Sequence, residues 1–239
     1  MVKLLVTVLL MVMANIVNAA PVTMAVAANF KATLELLAKD YQAVNSNFVY
    51  RISSASTGVL YNQVLHGAPF DLFFSADEQR AKLLFTNQYA LAQKPYAVGQ
   101  LVFWAPNYTN AYGQPVMGEQ LWREWQFGVA YANPKLAPYG LAADQLVKQK
   151  GLTSKLILAN NVSQVYQFIV TGNVAGGFVA RSTHALFDGS YWLVPTHFHQ
   201  RLAQHVALLE DTPQALGFYQ YLSSAKAQTI ITDNGYLLP

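Results

Sequence analysis

Val22-Thr23-Met24-Ala25-Val26-Ala27, followed at once by Ala28-Asn29-Phe30, decides the fold class of this chain. The first six residues form a short, mostly apolar run of the length of a buried strand. After them Phe30, Leu34, Leu37, Ala38 and Tyr41 recur at helical spacing, so a helix is expected from Asn29. The same step then repeats. Residues 48–52 read as a second strand, and a helix with Val59, Leu60, Gln63 and Val64 follows Ser56 and stops at Gly67. Residues 70–75 read as a third strand. Further strands are expected over 101–105, 127–132, 177–180 and 205–209. Helices are expected from Tyr139, from Asn161 to Gly172-Asn173, and over 213–227, with a loop rich in Asn, Gly and Pro at 107–116. Strands alternating with helices predict an α/β fold with mostly parallel sheets.

The N-terminus is of another kind. Lys3 is the only charge in the first 30 residues, and it precedes an apolar run over residues 4–17 and then Asn18-Ala19-Ala20-Pro21. A positive start, a short apolar stretch and small residues at its exit describe a secretory signal peptide, here residues 1–19. The run is shorter than the ~20 apolar residues of a membrane-spanning helix. The mature chain is therefore expected outside the cytoplasm, in the periplasm. Cysteine is absent, which excludes a disulfide framework, a thiolate metal site and a lipid-bearing cysteine after the signal. Losing Lys3 from 15 basic residues leaves 14 against 12 acidic ones, a net charge of +2. No basic stripe accompanies it, so nucleic acid is not an expected partner.

The chemistry expected of the chain lies at four helix starts: Ala28-Asn29-Phe30, Ser56-Thr57-Gly58, Pro138-Tyr139-Gly140 and Asn161-Val162-Ser163. The first turn of a helix leaves N–H groups without intrahelical acceptors, and the macrodipole makes that end partly positive. An anion can sit there without Lys or Arg. Taken singly, each start reads equally as an ordinary N-cap built on Asn or Ser, and spacing alone does not bring the four ends together.

A resemblance supplies the missing link. Ala27-Ala28-Asn29-Phe30, then Ser54-Ala55-Ser56-Thr57-Gly58-Val59-Leu60, then Gly67-Ala68-Pro69-Phe70-Asp71-Leu72-Phe73-Phe74-Ser75-Ala76-Asp77, then Ala132-Asn133-Pro134-Lys135-Leu136-Ala137-Pro138-Tyr139-Gly140 occur in this order. Together they resemble the periplasmic molybdate-binding proteins of ABC importers, over nearly the whole mature chain. The resemblance implies a two-lobed periplasmic-binding-protein fold (type II) with the ligand in the cleft. Residues 20–100 plus 205–239 would form one lobe and residues 101–204 the other. It implies an oxyanion, molybdate or tungstate, held by Asn29, Ser56, Tyr139 and Val162, the last through its backbone N–H, with Ala28 bordering the anion. It implies a membrane permease as partner, a monomer, no enzymatic activity, no cofactor, and no direct metal-cation ligands. Ala180 departs from the pattern: many relatives offer a Tyr hydroxyl there, and Tyr139 could supply one instead.

Other constellations carry less. Asp71 and Asp77 near a strand end suit hydrogen bonding and capping better than acid–base chemistry. His197, His199 and His205 could suggest a metal, but no further ligand is evident nearby. The four tryptophans read as packing rather than a sugar platform. Neither Gly-x-Ser-x-Gly nor His-Glu-x-x-His occurs, so a secreted hydrolase is the weaker alternative. Sulfate or a carboxylate remains the alternative ligand for the same fold. An amino acid would call for an Arg clamp, which none of the quoted cleft segments contains.

Overall fold

The computed structural model describes residues 20–152, 155–183 and 187–239. The expected signal segment, residues 1–19, lies outside the described residues. Two five-stranded sheets organise the rest. The first has the order β2 (Tyr50–Ala55), β1 (Val22–Ala27), β3 (Leu72–Ser75), β10 (Leu202–Leu208), β4 (Ala92–Gly99). The second has the order β7 (Leu156–Ala159), β6 (Val129–Ala132), β8 (Gly177–Ala180), β5 (Leu101–Ala105), β9 (Ser190–Leu193). Each is the centre of one lobe. The chain crosses between them at Gln100 and again between β9 and β10.

Both sheets are mixed. β1 pairs in parallel with β2 and β3, and β6 with β7 and β8. Antiparallel pairing is confined to β10 with β3 and β4, and to β5 with β8 and β9. These antiparallel strands include β4, β5 and β10, which flank the two crossings.

Helices cover the sheets. A 3₁₀ turn, Ala28–Phe30, runs straight into α1 (Lys31–Val44). Then come α2 (Thr57–Leu65), α3 (Glu78–Thr86), α4 (Glu119–Glu124), α5 (Pro138–Gln149), α6 (Val162–Val170), α7 (Pro213–Tyr221) and α8 (Ala225–Asp233). Alternation along β1 explains its continuous apolar reading. Met24 and Val26 point into a core with Phe30, Leu34, Leu37 and Phe218, while Ala25 points to the opposite face with Leu60, Phe73 and Leu84. A strand covered on both faces has no polar side to display. The second lobe packs around Phe103, Phe178, Trp122 and Trp125. Trp104 and Trp192 are buried there too, so all four tryptophans are packing residues.

Three expectations on element bounds are revised. β2 extends three residues past Ile52, because it pairs along all of β1, from Val22↔Tyr50 to Ala27↔Ala55. The expected C-terminal helix is two helices; Ser224 ends the first run and caps the second by accepting from the Ala227 N–H. β10 starts at Leu202 rather than His205. Among the described residues no helix is long and apolar enough to cross a membrane.

Candidate functional site

The four helix starts singled out in the sequence meet. Ala28 and Asn29, Ser56 and Thr57, Pro138 and Tyr139, and Asn161 and Val162 line one small cavity, with Ala27, Ala76 and Ala137 completing its wall. The starts come in pairs, two from each lobe, so the cavity lies between the sheets. All five residues expected to hold an anion are therefore brought together. Among the described residues no Lys, Arg, Asp or Glu lines the space. Its polarity comes from first-turn N–H groups and the positive ends of the helices.

Ser56 stands apart among the residues of the cavity. It precedes α2 in extended conformation, where a serine normally caps the first turn, yet its side chain makes no capping bond. Ser56 is 4% exposed, and its Oγ is buried without a hydrogen-bond partner among the described residues. Leaving a buried hydroxyl unpaired costs about 1–3 kcal/mol. The other caps in this fold behave ordinarily: Asn161 accepts from the Gln164 N–H, and Asp77 from the Arg80 N–H. The Asn161 side chain is thus engaged in its own helix, and α6 presents its first-turn backbone, beginning with Val162. The Val162 side chain is buried in the second lobe's core.

Asn29 and Tyr139 present less to the cavity than their side chains suggest. The Asn29 amide gives one hydrogen bond to Gln204 Oε1 at 2.9 Å and one to the Tyr236 hydroxyl at 3.1 Å. Both amide hydrogens are thereby engaged away from a ligand, and the backbone N–H is what Asn29 has left to donate. The Tyr139 hydroxyl accepts from Gln204 Nε2 at 3.2 Å. It reaches that position because residue 99 is glycine: a Cβ there would lie 2.1 Å from the hydroxyl oxygen. Burial, and then the neighbouring Tyr236, hold the Tyr139 hydroxyl well above the usual tyrosine range, while the Gln204 bond opposes them. Tyr139 stays protonated at any physiological pH. Ala180 is fully buried in β8 opposite Leu101 and is not part of the cavity wall.

Several groups close the cleft. The Gly58 N–H, in the first turn of α2, donates to the Leu136 carbonyl of the other lobe at 2.8 Å. Arg80, ion-paired to Asp77, reaches the Lys135 carbonyl at 3.2 Å. Ser163 Oγ donates to the Ala28 carbonyl at 3.2 Å, and Ser182 Oγ to the Asn29 carbonyl at 3.0 Å. Sequence reasoning missed all of these, and Gln204 with them. A single polar residue in a strand, or a serine beside a helix start, carries no signal of what it faces across a cleft.

Of the remaining candidates, the aspartates and His205 have structural partners, His197 packs on Phe198, and His199 Nε2 is buried without a hydrogen-bond partner among the described residues. Asp71 accepts from the Thr23 N–H at 2.6 Å and from its hydroxyl at 2.8 Å, fixing β1 beside β3. His205 Nδ1 meets Gln93 Oε1 at 2.6 Å, and His199 Nδ1 meets the Gln200 carbonyl at 2.7 Å. Among the described residues no three His, Cys, Asp or Glu side chains group as a metal site would require.

Residues 22–237 match the model of the family described as bacterial extracellular solute-binding protein. The molybdate-binding protein ModA of Azotobacter vinelandii is 36% identical over 92% of this chain and 90% of its own length. The ModA protein of Rhodobacter capsulatus is 34% identical over 92% and 89%. Among solved structures, the periplasmic molybdate-binding protein of Azotobacter vinelandii superposes with a TM-score of 0.80 at 31% identity, covering 91% of this chain and 99% of the other. With its two lobes, its interlobe cavity and this match along almost all its described length, the chain belongs to the bacterial extracellular solute-binding proteins.

Proposed function

We propose that this protein captures molybdate or tungstate in the periplasm, as a monomer, and hands it to the membrane permease of an ABC importer. The observation that carries the reading is Ser56: a buried hydroxyl without a partner among the described residues, at a point where four helix starts converge and none of those residues brings a charged side chain. A fully ionised tetrahedral oxyanion supplies what is missing. Its oxygens accept from the Ser56 hydroxyl and from first-turn N–H groups of Asn29, Tyr139 and Val162, and its charge is met by the helix ends. Burying a charge is costly unless each of its oxygens is paired, so a donor-rich neutral pocket favours an ion that brings acceptors only. The named ligands of the similar ModA proteins fit this chemistry.

The same serine argues against hydrolysis. A serine nucleophile needs a base within hydrogen-bond reach, and Ser56 Oγ has no partner at all among the described residues. Binding and release, without covalent change, is the reading the geometry supports.

Calorimetric titration of the purified protein with molybdate, tungstate, sulfate, phosphate and an amino-acid mixture tests it. The expected result is tight, stoichiometric uptake of molybdate and tungstate, with sulfate at least tenfold weaker, since roughly 1.4 kcal/mol separates each decade. Tight uptake of sulfate, phosphate or an amino acid in place of molybdate would discard the ligand assignment.

A further inference from the structure

Gln204 lies outside the cavity wall, yet it joins two of the segments that form it. It sits in β10 where that strand leaves the crossing, at the point where the pairing with β4 shifts register. It is fully buried. Its Oε1 accepts from Asn29 Nδ2 and from the Tyr96 hydroxyl, both at 2.9 Å. Its Nε2 donates to the Tyr139 hydroxyl at 3.2 Å. Asn29 belongs to a helix start of the first lobe, and Tyr139 to one of the second. One amide therefore ties together a cavity-lining segment from each side of the cleft.

That amide belongs to a network in which each member has a partner. Asn29 donates its second amide hydrogen to the Tyr236 hydroxyl, which hydrogen-bonds in turn to the Asn29 carbonyl at 2.7 Å and to Ser182 Oγ at 2.8 Å. With Asn29 and Tyr96 both donating, the oxygen of Gln204 faces them. Its NH₂ then faces Tyr139. A flipped amide would set donor against donor at Asn29. In a buried network each member fixes the next, and one reversed group leaves several unpaired.

We propose that Gln204 is the positioning residue of the oxyanion site: its single amide holds the helix starts at Asn29 and Tyr139 in the one relative placement that lets backbone N–H groups of both lobes reach the same anion. The inference rests on the oxyanion-binding reading above. It predicts that Gln204 acts through Tyr139 and on the closed, loaded state, although it touches no ligand. Interactions present only in the closed complex slow its dissociation rather than speed its formation.

The test uses the purified protein, Q204M, Q204E, Y139F and the double variant Q204M/Y139F, with molybdate as the probe. Calorimetry gives Kd, stopped-flow competition gives the dissociation rate, and thermal unfolding without anion gives stability. Q204M is expected to raise Kd on the order of tenfold, the scale of a lost buried hydrogen bond, with the change residing in the dissociation rate. Y139F is expected to do likewise, and the double variant should lose less than the product of the two single losses, because the residues act as a pair. Q204E keeps the acceptor for Asn29 and Tyr96 and reads the same coupling should Q204M not fold. A merely structural role predicts lower thermal stability with Kd unchanged, and that outcome overturns the proposal. Strict multiplicativity of the two losses also overturns it. If the unaltered protein takes up no molybdate, the binding reading itself falls and this inference with it. If it binds and the variants bind equally well, only Gln204 loses its role.

Discussion

Ser56 is the residue on which the binding reading turns, and its two substitution effects should point in opposite directions. Ser56→Ala removes a donor to the anion and is expected to weaken binding by about 1–3 kcal/mol, roughly five- to 150-fold. In the anion-free protein the same change deletes a buried hydroxyl that has no partner, so the thermal midpoint should stay level or rise. Calorimetry and a melting curve on one sample check both. A drop in stability with unchanged affinity would make Ser56 a structural residue. Val162 offers a backbone version of this experiment. It is the first residue of α6, following the Asn161 cap, and proline is well tolerated at that position. Val162→Pro should therefore leave the helix in place while deleting the N–H, and cost about tenfold or more in affinity. Val162→Ala keeps the N–H and opens space in the core of the second lobe. It should cost about 1–2 kcal/mol of stability and leave affinity nearly unchanged.

At the scale of elements, the helix starts were legible in the sequence and the strands beside them only partly so. Ala28-Asn29-Phe30, Ser56-Thr57-Gly58, Pro138-Tyr139-Gly140 and Asn161-Val162-Ser163 each mark the change from a strand or tight turn to helical periodicity, and each lines the cavity. That they meet at one point came from the resemblance, because chain spacing holds no information about convergence. β4 was invisible: Ala-Gln-Lys-Pro-Tyr-Ala-Val-Gly contains a proline and two polar residues. Its place at the sheet edge explains why that composition is tolerated, since an edge strand can lack a ladder donor. β7, also an edge strand, exposes three of its four residues and was missed for another reason: Leu-Ile-Leu-Ala is apolar throughout but too short a run to tell strand from helix. The side-chain chemistry at Asn29 and Tyr139 could not be read at all, because the partner of both, Gln204, lies far away in the chain. Gly99 is the element-scale test of that contact. A Cβ there would fall 2.1 Å from the Tyr139 hydroxyl and 2.7 Å from Gln204 Nε2. Gly99→Ala is expected to displace the tyrosine and weaken molybdate binding on the order of tenfold, the scale of a lost buried hydrogen bond, read by the same titration.

The whole molecule is a pair of lobes that meet through scattered hydrogen bonds and a small apolar contact, where Ala27 and Ala76 join the second lobe's cluster. Gly58 with Leu136, Arg80 with Lys135, Ser163 with Ala28 and Ser182 with Asn29 are single hydrogen bonds. Such contacts suit a cleft that opens and closes around a ligand. An anion bound to both lobes adds stability by mass action, about 2.7 kcal/mol at 100 times its dissociation constant, a shift of several degrees for a chain of this size. Acid should act on the same molecule in the other direction. Burial lowers His199 and His205 below the ordinary histidine value of about 6.5 in the folded state, although nearby Glu78 and Asp77 partly oppose this for His205. The unfolded chain therefore binds more protons as pH falls through that range, and stability should decline from pH 6.5 downward. Denaturant midpoints between pH 5 and 8 check the sign. Among the described residues the cavity wall has no group that titrates near neutrality, so affinity for a fully ionised oxyanion should be flat across the window in which stability changes.

The most direct test of the central claim is an anomalous difference map from crystals grown with tungstate. One strong peak is predicted between the starts of the helices at Asn29, Ser56, Tyr139 and Val162. An anion oxygen should lie roughly 2.5–2.7 Å from Ser56 Oγ, the length of a hydroxyl-to-oxyanion bond. A peak elsewhere on the protein, or an empty cleft at saturating tungstate, would contradict the account.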